Sequence, residues 1–174
     1  MTDIPVRFKT FKGETYYHWY KSPIGKLLIT GNQSALATIT FPISKPEPAQ
    51  DWTENSLQFK EVCRQLDHYF AGTLKSFDLP LAPHGTAFQK SVWRQLLKIR
   101  YGHTTSYGSI AKQLGNEKAM RAVGSANGRN PISIIIPCHR VIGSDGNLTG
   151  YGGGLPTKSF LLNLENNAQQ SLSL

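Results

Sequence analysis

Residues 130–143 read NPISIIIPCHRVIG, and this stretch carries the most informative pattern in the chain. An apolar run leads directly into Pro137, Cys138, His139 and Arg140, so a thiol, an imidazole and a guanidinium occupy consecutive positions. A cysteine attacks as its thiolate, which a neighbouring base or cation makes available near neutral pH. The pattern is therefore typical of a reactive cysteine. On these residues alone, the alternative is that Cys138 is a small buried hydrophobe.

The size and composition of the chain narrow the possible classes of protein. Its 174 residues suffice for one domain or for two small ones. The only two cysteines, Cys63 and Cys138, lie far apart in sequence, which argues against a disulfide scaffold or a thiol-rich metal site. No stretch is long and apolar enough to span a bilayer. We therefore expect a cytoplasmic protein that has no membrane partner.

The positive charge is concentrated in the second half of the chain. The net charge of the chain is +8. In residues 1–83 the charges nearly cancel, because nine Lys or Arg stand against eight Asp or Glu. Residues 84–174 carry ten Lys or Arg against three acidic residues. This asymmetry favours a polyanionic partner for the second half, with nucleic acid ahead of an anionic membrane or an acidic protein.

The first half has the pattern of a small α/β domain. Apolar residues and turn signals predict strands at 16–20, 26–30 and 35–41, and helical spacing predicts a helix over 56–70 that ends at Gly72. Residues 79–85 contain Pro80, Pro83 and Gly85, and we place a domain boundary there. The predicted domains are residues 1–84, with a sheet and a helix in a ribonuclease H-like outline, and residues 85–174.

The second half is predicted to be mainly α-helical. A helix begins near Thr86, with Phe88, Val92 and Leu96 on one face. A second helix over 107–114, a turn at Gly115 and a third helix over 117–126, with Met120 and Val123 inward, outline a helix-turn-helix. In that motif the second helix of the pair enters a DNA groove. An αα-hairpin without a DNA role would have the same spacing.

The order and spacing of these blocks resemble the O6-alkylguanine-DNA alkyltransferases, also called methylated-DNA–protein-cysteine methyltransferases. The resemblance is strong over residues 86–165 and holds only in outline for the first half. Besides 130–143, it rests on short blocks that recur in the expected order. These are Phe88–Gln89, Val92–Trp93, Ser106–Gly108, Arg121–Gly124, Tyr151–Gly154 and Lys158 through Leu162 to Glu165.

The resemblance implies a suicide enzyme that moves an alkyl group from O6 of guanine, and often O4 of thymine, to its own cysteine. Cys138 would be the acceptor and His139 the general base. The base would act through a water, because adjacent residues in an extended chain point to opposite sides. Glu165 would orient the imidazole, and Asn130 would brace the turn that presents the thiol.

The resemblance also assigns residues to the damaged base and to DNA. Because the reacting atom lies inside the base stack, the nucleotide must be flipped out, and Arg121 would fill the gap. Tyr107 would stabilise the guanine anion as it leaves. The carbonyls of Cys138 and Val141 would read the exocyclic amine. The remaining assignments are Tyr151, Gly152 through its backbone N–H, and Lys158 at the substrate, with Ser106, Ala122 and Gly124 at the DNA.

Three other functions are compatible with parts of the pattern. The first is a non-catalytic sensor of alkylated DNA, although such proteins replace the cysteine. The second is a helix-turn-helix regulator with a buried Cys138, and the third is a cysteine hydrolase that uses Cys138, His139 and Glu165. We expect no cofactor and no metal, because Cys63, His18 and His68 are too scattered for a zinc site. The expected partner is double-stranded DNA with an alkylated guanine or thymine, bound by a monomer, with cooperative loading left open.

Overall fold

The computed structural model of the chain describes residues 8–170. The first seven and last four residues of the two predicted domains therefore lie outside the described part. No helix within it has the length and apolar character needed to cross a membrane.

The N-terminal half is built on a four-stranded sheet. Its strands are β1 (Tyr16–Ser22), β2 (Gly25–Asn32), β3 (Ala35–Thr40) and β4 (Thr53–Glu54), in the order β3-β2-β1-β4. The first three strands pair antiparallel as a meander, which confirms the predicted strands. The short β4 pairs parallel to β1 and was not predicted, because two exposed residues carry no strand signal.

The N-terminal half also contains one α-helix, α1 (Lys60–Phe70). Its buried residues are Val62, Gln65, Leu66 and Tyr69, spaced by three or four positions as on one face of a helix. Gly72 adopts a positive φ of 74° just past its end, as predicted. Leu57, which lies inside the predicted helix 56–70, is instead in a preceding 3₁₀ turn and is 83% exposed.

The C-terminal half contains the predicted helices. Thr86 caps α2 (Ala87–Leu96) through a capping box with Gln89, and the Ser106 side chain caps α3 (Tyr107–Gln113). After Gly115, a 3₁₀ turn leads into α4 (Met120–Gly128), so the helix-turn-helix outline is confirmed. The prediction that Met120 points inward is wrong, because Met120 is 51% exposed. Phe88, on the same predicted face as the buried Val92 and Leu96, is 39% exposed.

The two halves share one continuous hydrophobic core, to which both sheet residues and helix residues contribute. The edge strand β3 also bonds to the segment that leads to Cys138, through Ile39 N and the carbonyl of Pro131 at 2.8 Å. Two short strands, β5 (Thr105–Ser106) and β6 (Val141–Ile142), pair in parallel, and α5 (Leu155–Gln170) ends the described chain. The predicted fold class, an α/β domain followed by a mainly helical domain, is confirmed.

Candidate active site

The buried segment before Cys138 consists of successive turns. The apolar run 132–136 suggests a strand, but Ile136 N bonds to the Ile132 carbonyl at 2.9 Å and Cys138 N bonds to the Ile136 carbonyl at 2.8 Å. Residues Cys138–Arg140 then form a 3₁₀ turn. The expectation of an extended chain at Cys138 and His139 is therefore wrong, because hydrogen bonds inside the segment replace those of a sheet.

The side-chain amide of Asn130 forms hydrogen bonds to several parts of this turn. Its Nδ2 donates to the Ile136 carbonyl at 2.7 Å and lies 3.1 Å from Cys138 Sγ, and its Oδ1 accepts from Ile132 N at 3.1 Å. Ile134 adopts a φ of 74°, which is strained for a β-branched residue. The amide of Asn130 therefore supports a turn that the local backbone would not favour by itself.

The carboxylate of Glu165 organises the site. Glu165 lies on α5 with no exposed surface, and its Oε1 accepts from His139 Nε2 at 2.9 Å. Arg140 donates to both carboxylate oxygens, with Nε 2.9 Å from Oε2 and Nη2 2.9 Å from Oε1. The backbone N–H of Gly102 donates to Oε2 at 2.9 Å, and the hydroxyl of Tyr69 donates to Oε1 at 2.8 Å.

These contacts set the protonation states of Glu165 and His139. Burial alone would raise the pKa of Glu165, but hydrogen bonds from His139 and Arg140 outweigh it and lower the pKa to about 2. Burial lowers the pKa of His139, although Glu165 opposes that shift. A neutral imidazole that donates from Nε2 to a carboxylate leaves Nδ1 as its acceptor. Nδ1 is buried and has no hydrogen-bond partner among the described residues.

The thiol of Cys138 is buried and favours its protonated form. Cys138 is 4% exposed, and burial raises the pKa of its thiol, although Asn130 and the charge of Lys158 act in the opposite direction. Arg140, the sequence neighbour that could have stabilised a thiolate, is paired with Glu165 instead. The arrangement therefore suits a thiol that loses its proton to a base during the reaction.

A second group of predicted residues surrounds the loop after β6. Lys158 is fully buried, and its Nζ donates to the carbonyls of Val141 at 2.6 Å and Thr149 at 2.8 Å. Thr149 Oγ1 donates to the hydroxyl of Tyr107 at 3.1 Å. These bonds connect α5, the loop and the start of α3.

Tyr151 and Gly152 follow on the same loop. The ring of Tyr151 packs edge-on against His139, with 6.4 Å between centroids, and its hydroxyl is buried without a partner among the described residues. Burial and the proximity of Cys138 raise the pKa of Tyr151 well above its usual range. Gly152 is exposed, and a Cβ built there would meet nothing within 4 Å.

The residues predicted to contact DNA lie on the helix-turn-helix. Arg121 and Ala122 are exposed in the first turn of α4, and Gly124 is half-buried. A Cβ at Gly124 would lie 3.8 Å from the ring of Tyr107. Ser106 caps α3. The exposed start of α4 thus carries one cation beside small side chains.

The described residues contain no group of three or more His, Cys, Asp or Glu side chains that could hold a metal ion. Cys63 is half-buried, and burial raises its pKa to about 11. Cys63 is therefore a poor nucleophile near neutral pH.

Sequence reasoning missed two side-chain partners of Glu165. Tyr69 fits the apolar periodicity of α1 and so resembled a core residue, and Arg140 was interpreted as a neighbour of the thiol. The available signal at Tyr69 was its hydroxyl, since a buried tyrosine usually gives its O–H a hydrogen-bond partner.

Comparison with known proteins identifies both halves of the chain. Residues 15–83 match the family described as "6-O-methylguanine DNA methyltransferase, ribonuclease-like domain". Residues 87–167 match "6-O-methylguanine DNA methyltransferase, DNA binding domain". The two matched regions together cover most of the chain.

Individual relatives agree with the family matches. A methylated-DNA–protein-cysteine methyltransferase of Methanosarcina acetivorans is 57% identical over 152 residues, covering 86% of this chain and 97% of the relative. The Haemophilus influenzae protein of that name is 46% identical over 153 residues and covers 86% of each chain. A crystal structure of Mycobacterium tuberculosis OGT in complex with DNA superposes with a TM-score of 0.83 at 48% identity, covering 88% of this chain and 94% of the other.

Neutralising the central carboxylate should destabilise the fold. Glu165→Gln keeps the side-chain shape but leaves the buried Arg140 without its counter-charge, so we expect a loss of about 3–5 kcal/mol in the free energy of unfolding at pH 7. Urea unfolding measures this. Glu61→Gln is the matched control, because its ion pair with Arg64 is exposed, and it should change the stability far less.

The difference in stability between the wild type and Glu165→Gln should depend on pH. The pKa of Glu165 is depressed in the folded state, so its contribution is complete above the ordinary glutamate pKa of about 4.3. It is lost as the pH falls toward about 2. The stability of the wild type should approach that of Glu165→Gln over that range. If the two proteins differ little in their free energy of unfolding at pH 7, or if the difference does not change with pH, the assigned ionisation of Glu165 is wrong.

Proposed function

The chain belongs to the methylated-DNA–protein-cysteine methyltransferases, suicide enzymes of DNA repair, and we propose that Cys138 is its alkyl acceptor. One observation carries this assignment. His139 is held by Glu165 at 2.9 Å, and it directly follows the buried thiol in a turn braced by Asn130. The proposed substrate is O6-alkylguanine in double-stranded DNA, and we extend it to O4-alkylthymine because both lesions present an alkyl group on an exocyclic oxygen.

In the proposed reaction, His139 takes the thiol proton at Nδ1 through a bridging water. The thiolate of Cys138 attacks the alkyl carbon, the S–C bond forms, and the bond from that carbon to O6 breaks. The electron pair stays on guanine as an anion, which takes up the one proton that the thiol gave to His139 once the imidazolium releases it through water. His139 thereby returns to its neutral form. Cys138 ends as a thioether that no group in the site can reverse, so each molecule reacts once.

We place the base between Tyr107, Tyr151 and the carbonyls of Cys138 and Val141. Val141 already accepts from Lys158, so its carbonyl has one remaining lone pair for the exocyclic amine of guanine. Lys158 would then act on the substrate by holding this carbonyl. The hydroxyl of Tyr107 would stabilise the leaving base, and the N–H of Gly152 would reach O6.

We place α4 in the DNA groove, with Ser106, Ala122 and Gly124 against the duplex. Arg121 is exposed at the start of α4, where it would enter the base stack and replace the flipped nucleotide. The excess of basic residues in the second half supports binding through backbone phosphates. We propose a monomer acting in the cytoplasm, consistent with the two free cysteines, Cys63 and Cys138.

Mass spectrometry tests the acceptor directly. After mixing with duplex DNA that carries one O6-methylguanine, the peptide containing Cys138 should gain one methyl group, with at most one per molecule. Cys138→Ser should gain none, and Cys63→Ser should react like the wild type. Tight lesion binding without transfer would indicate a sensor instead. If the protein neither binds the lesion nor accepts the methyl group, Cys138 is not part of an alkyl-transfer site.

Removing the arginine of α4 should affect only substrates that must be flipped. Extrusion of a base costs a few kcal/mol, so we expect Arg121→Ala to slow transfer from duplex DNA by about tenfold or more. Its reaction with the free base O6-benzylguanine should stay within about twofold of the wild type. Arg129→Ala, at the exposed C-terminal end of α4, is the matched control. Equal losses on duplex and free base would contradict the role of Arg121.

Gly152 should influence the size of the accepted alkyl group. Because a Cβ at this position would meet nothing within 4 Å, Gly152→Ser should keep the fold and the backbone donor. Its added bulk should narrow the pocket and lower the ratio of the rate on O6-benzylguanine to the rate on O6-methylguanine. Single-turnover rates on both lesions measure this ratio, and an unchanged ratio would show that Gly152 does not set the size preference.

A further inference from the structure

Tyr69 brings the N-terminal half into the hydrogen-bond network of the active site. It lies near the end of α1 with no exposed surface, and its hydroxyl donates to Glu165 Oε1 at 2.8 Å. This is the same oxygen that accepts from His139 Nε2. The Tyr69 oxygen also lies 3.5 Å from that ring nitrogen.

The position of this hydroxyl constrains the imidazole. A tyrosine has one proton to donate, and the shorter contact assigns it to Glu165. Burial and the neighbouring Glu165 raise the pKa of Tyr69 well above its usual range, so the hydroxyl remains a donor at every pH at which the protein works. His139 Nε2 must then carry its own proton, and Nδ1 is left as the basic nitrogen.

Aromatic packing holds the Tyr69 ring on several sides. Its centroid lies 5.4 Å from that of Phe70, 5.3 Å from Phe77 and 6.0 Å from Tyr101. The ring is thus fixed by residues outside the predicted site, and the hydroxyl is directed to one oxygen of one carboxylate. A residue that served only the core would not need this hydroxyl.

We infer that Tyr69 is a positioning residue of the alkyl-transfer site. Its hydroxyl donates to Glu165 Oε1, which reduces the negative charge that acts on His139 and thereby sets the basicity of the imidazole. This inference rests on the proposed function, in which His139 is the base. It assigns the N-terminal domain a chemical role in addition to its structural one.

The direction of the effect follows from the charged and titratable groups around His139. The groups facing the imidazole are Glu165 and Lys158 from α5, Arg140 and Cys138 from its own turn, Tyr151 from the loop and Tyr69 from α1. Among the groups that shift its pKa, only Glu165 raises it, whereas burial, Arg140 and Lys158 lower it. Without the Tyr69 hydroxyl, more of the Glu165 charge acts on His139, so the pKa of His139 rises.

Tyr69→Phe tests this inference because it removes the hydroxyl and keeps the ring. Tyr20→Phe is the matched control, since Tyr20 is also buried and donates to Asp67 of the same helix at 2.6 Å, away from Glu165. Both variants are first checked by circular dichroism for a native spectrum. The His139 pKa is then measured by nitrogen NMR of the imidazole, and single-turnover transfer from O6-methylguanine duplex is measured as a function of pH.

For Tyr69→Phe, we expect the His139 titration and the acid limb of the rate profile to move together to higher pH, by about half a unit to one unit. On that limb, transfer should be about threefold to tenfold slower than in the wild type. Tyr20→Phe should leave both curves unchanged. A natively folded Tyr69→Phe whose His139 titrates as in the wild type would overturn the inference, even if its transfer is slower.

The two readouts separate this inference from the proposed function. The NMR titration needs no reaction, so a shifted His139 pKa supports the role of Tyr69 whatever the protein does to DNA. If the wild type transfers no methyl group to Cys138, the proposed function is wrong, whatever the titration of His139 shows. If transfer occurs and the titration does not shift, only the inference about Tyr69 fails.

Discussion

The buried carboxylate of Glu165 is the interaction on which the rest of the site depends. An isolated charge in the protein interior is costly, and this one is tolerated because Arg140 neutralises it and N–H and O–H donors satisfy both oxygens. The donors come from α1, from the segment after α2 and from the turn that contains Cys138. One carboxylate therefore connects the N-terminal domain, the DNA-binding domain and the reactive turn.

In the proposed function, this arrangement keeps the acceptor thiol unreactive until a substrate is bound. Burial favours the thiol form of Cys138, and a protonated thiol reacts poorly with electrophiles in solution. The imidazole of His139, the proposed base, is also neutral, because burial lowers the pKa of His139. Reactivity then develops only when a substrate occupies the site and the proton can move. For a protein that reacts once, this protects the thiol from unproductive modification.

Periodicity and turn signals predicted the strands and the helix-turn-helix, whereas the group of Cys138, His139, Asn130 and Glu165 was implied by the resemblance to the alkyltransferases. The sequence could not predict the path of residues 132–136, since an apolar run has the same composition in a strand and in buried turns. It placed Met120 in the core because helical spacing alone does not identify which side of a short helix is covered. Tyr69 was missed because it lies 96 positions before Glu165, and only tertiary packing brings them together.

The most direct test of this account is the ionisation of Cys138 in the free protein, measured by ultraviolet thiolate absorbance against pH in a Cys63→Ser background. Cys138→Ser in the same background provides the baseline. We expect no thiolate signal from Cys138 at pH 7, with the signal appearing only above the ordinary thiol pKa of about 8.5. A thiolate already present at neutral pH, paired with a charged His139, would contradict this account.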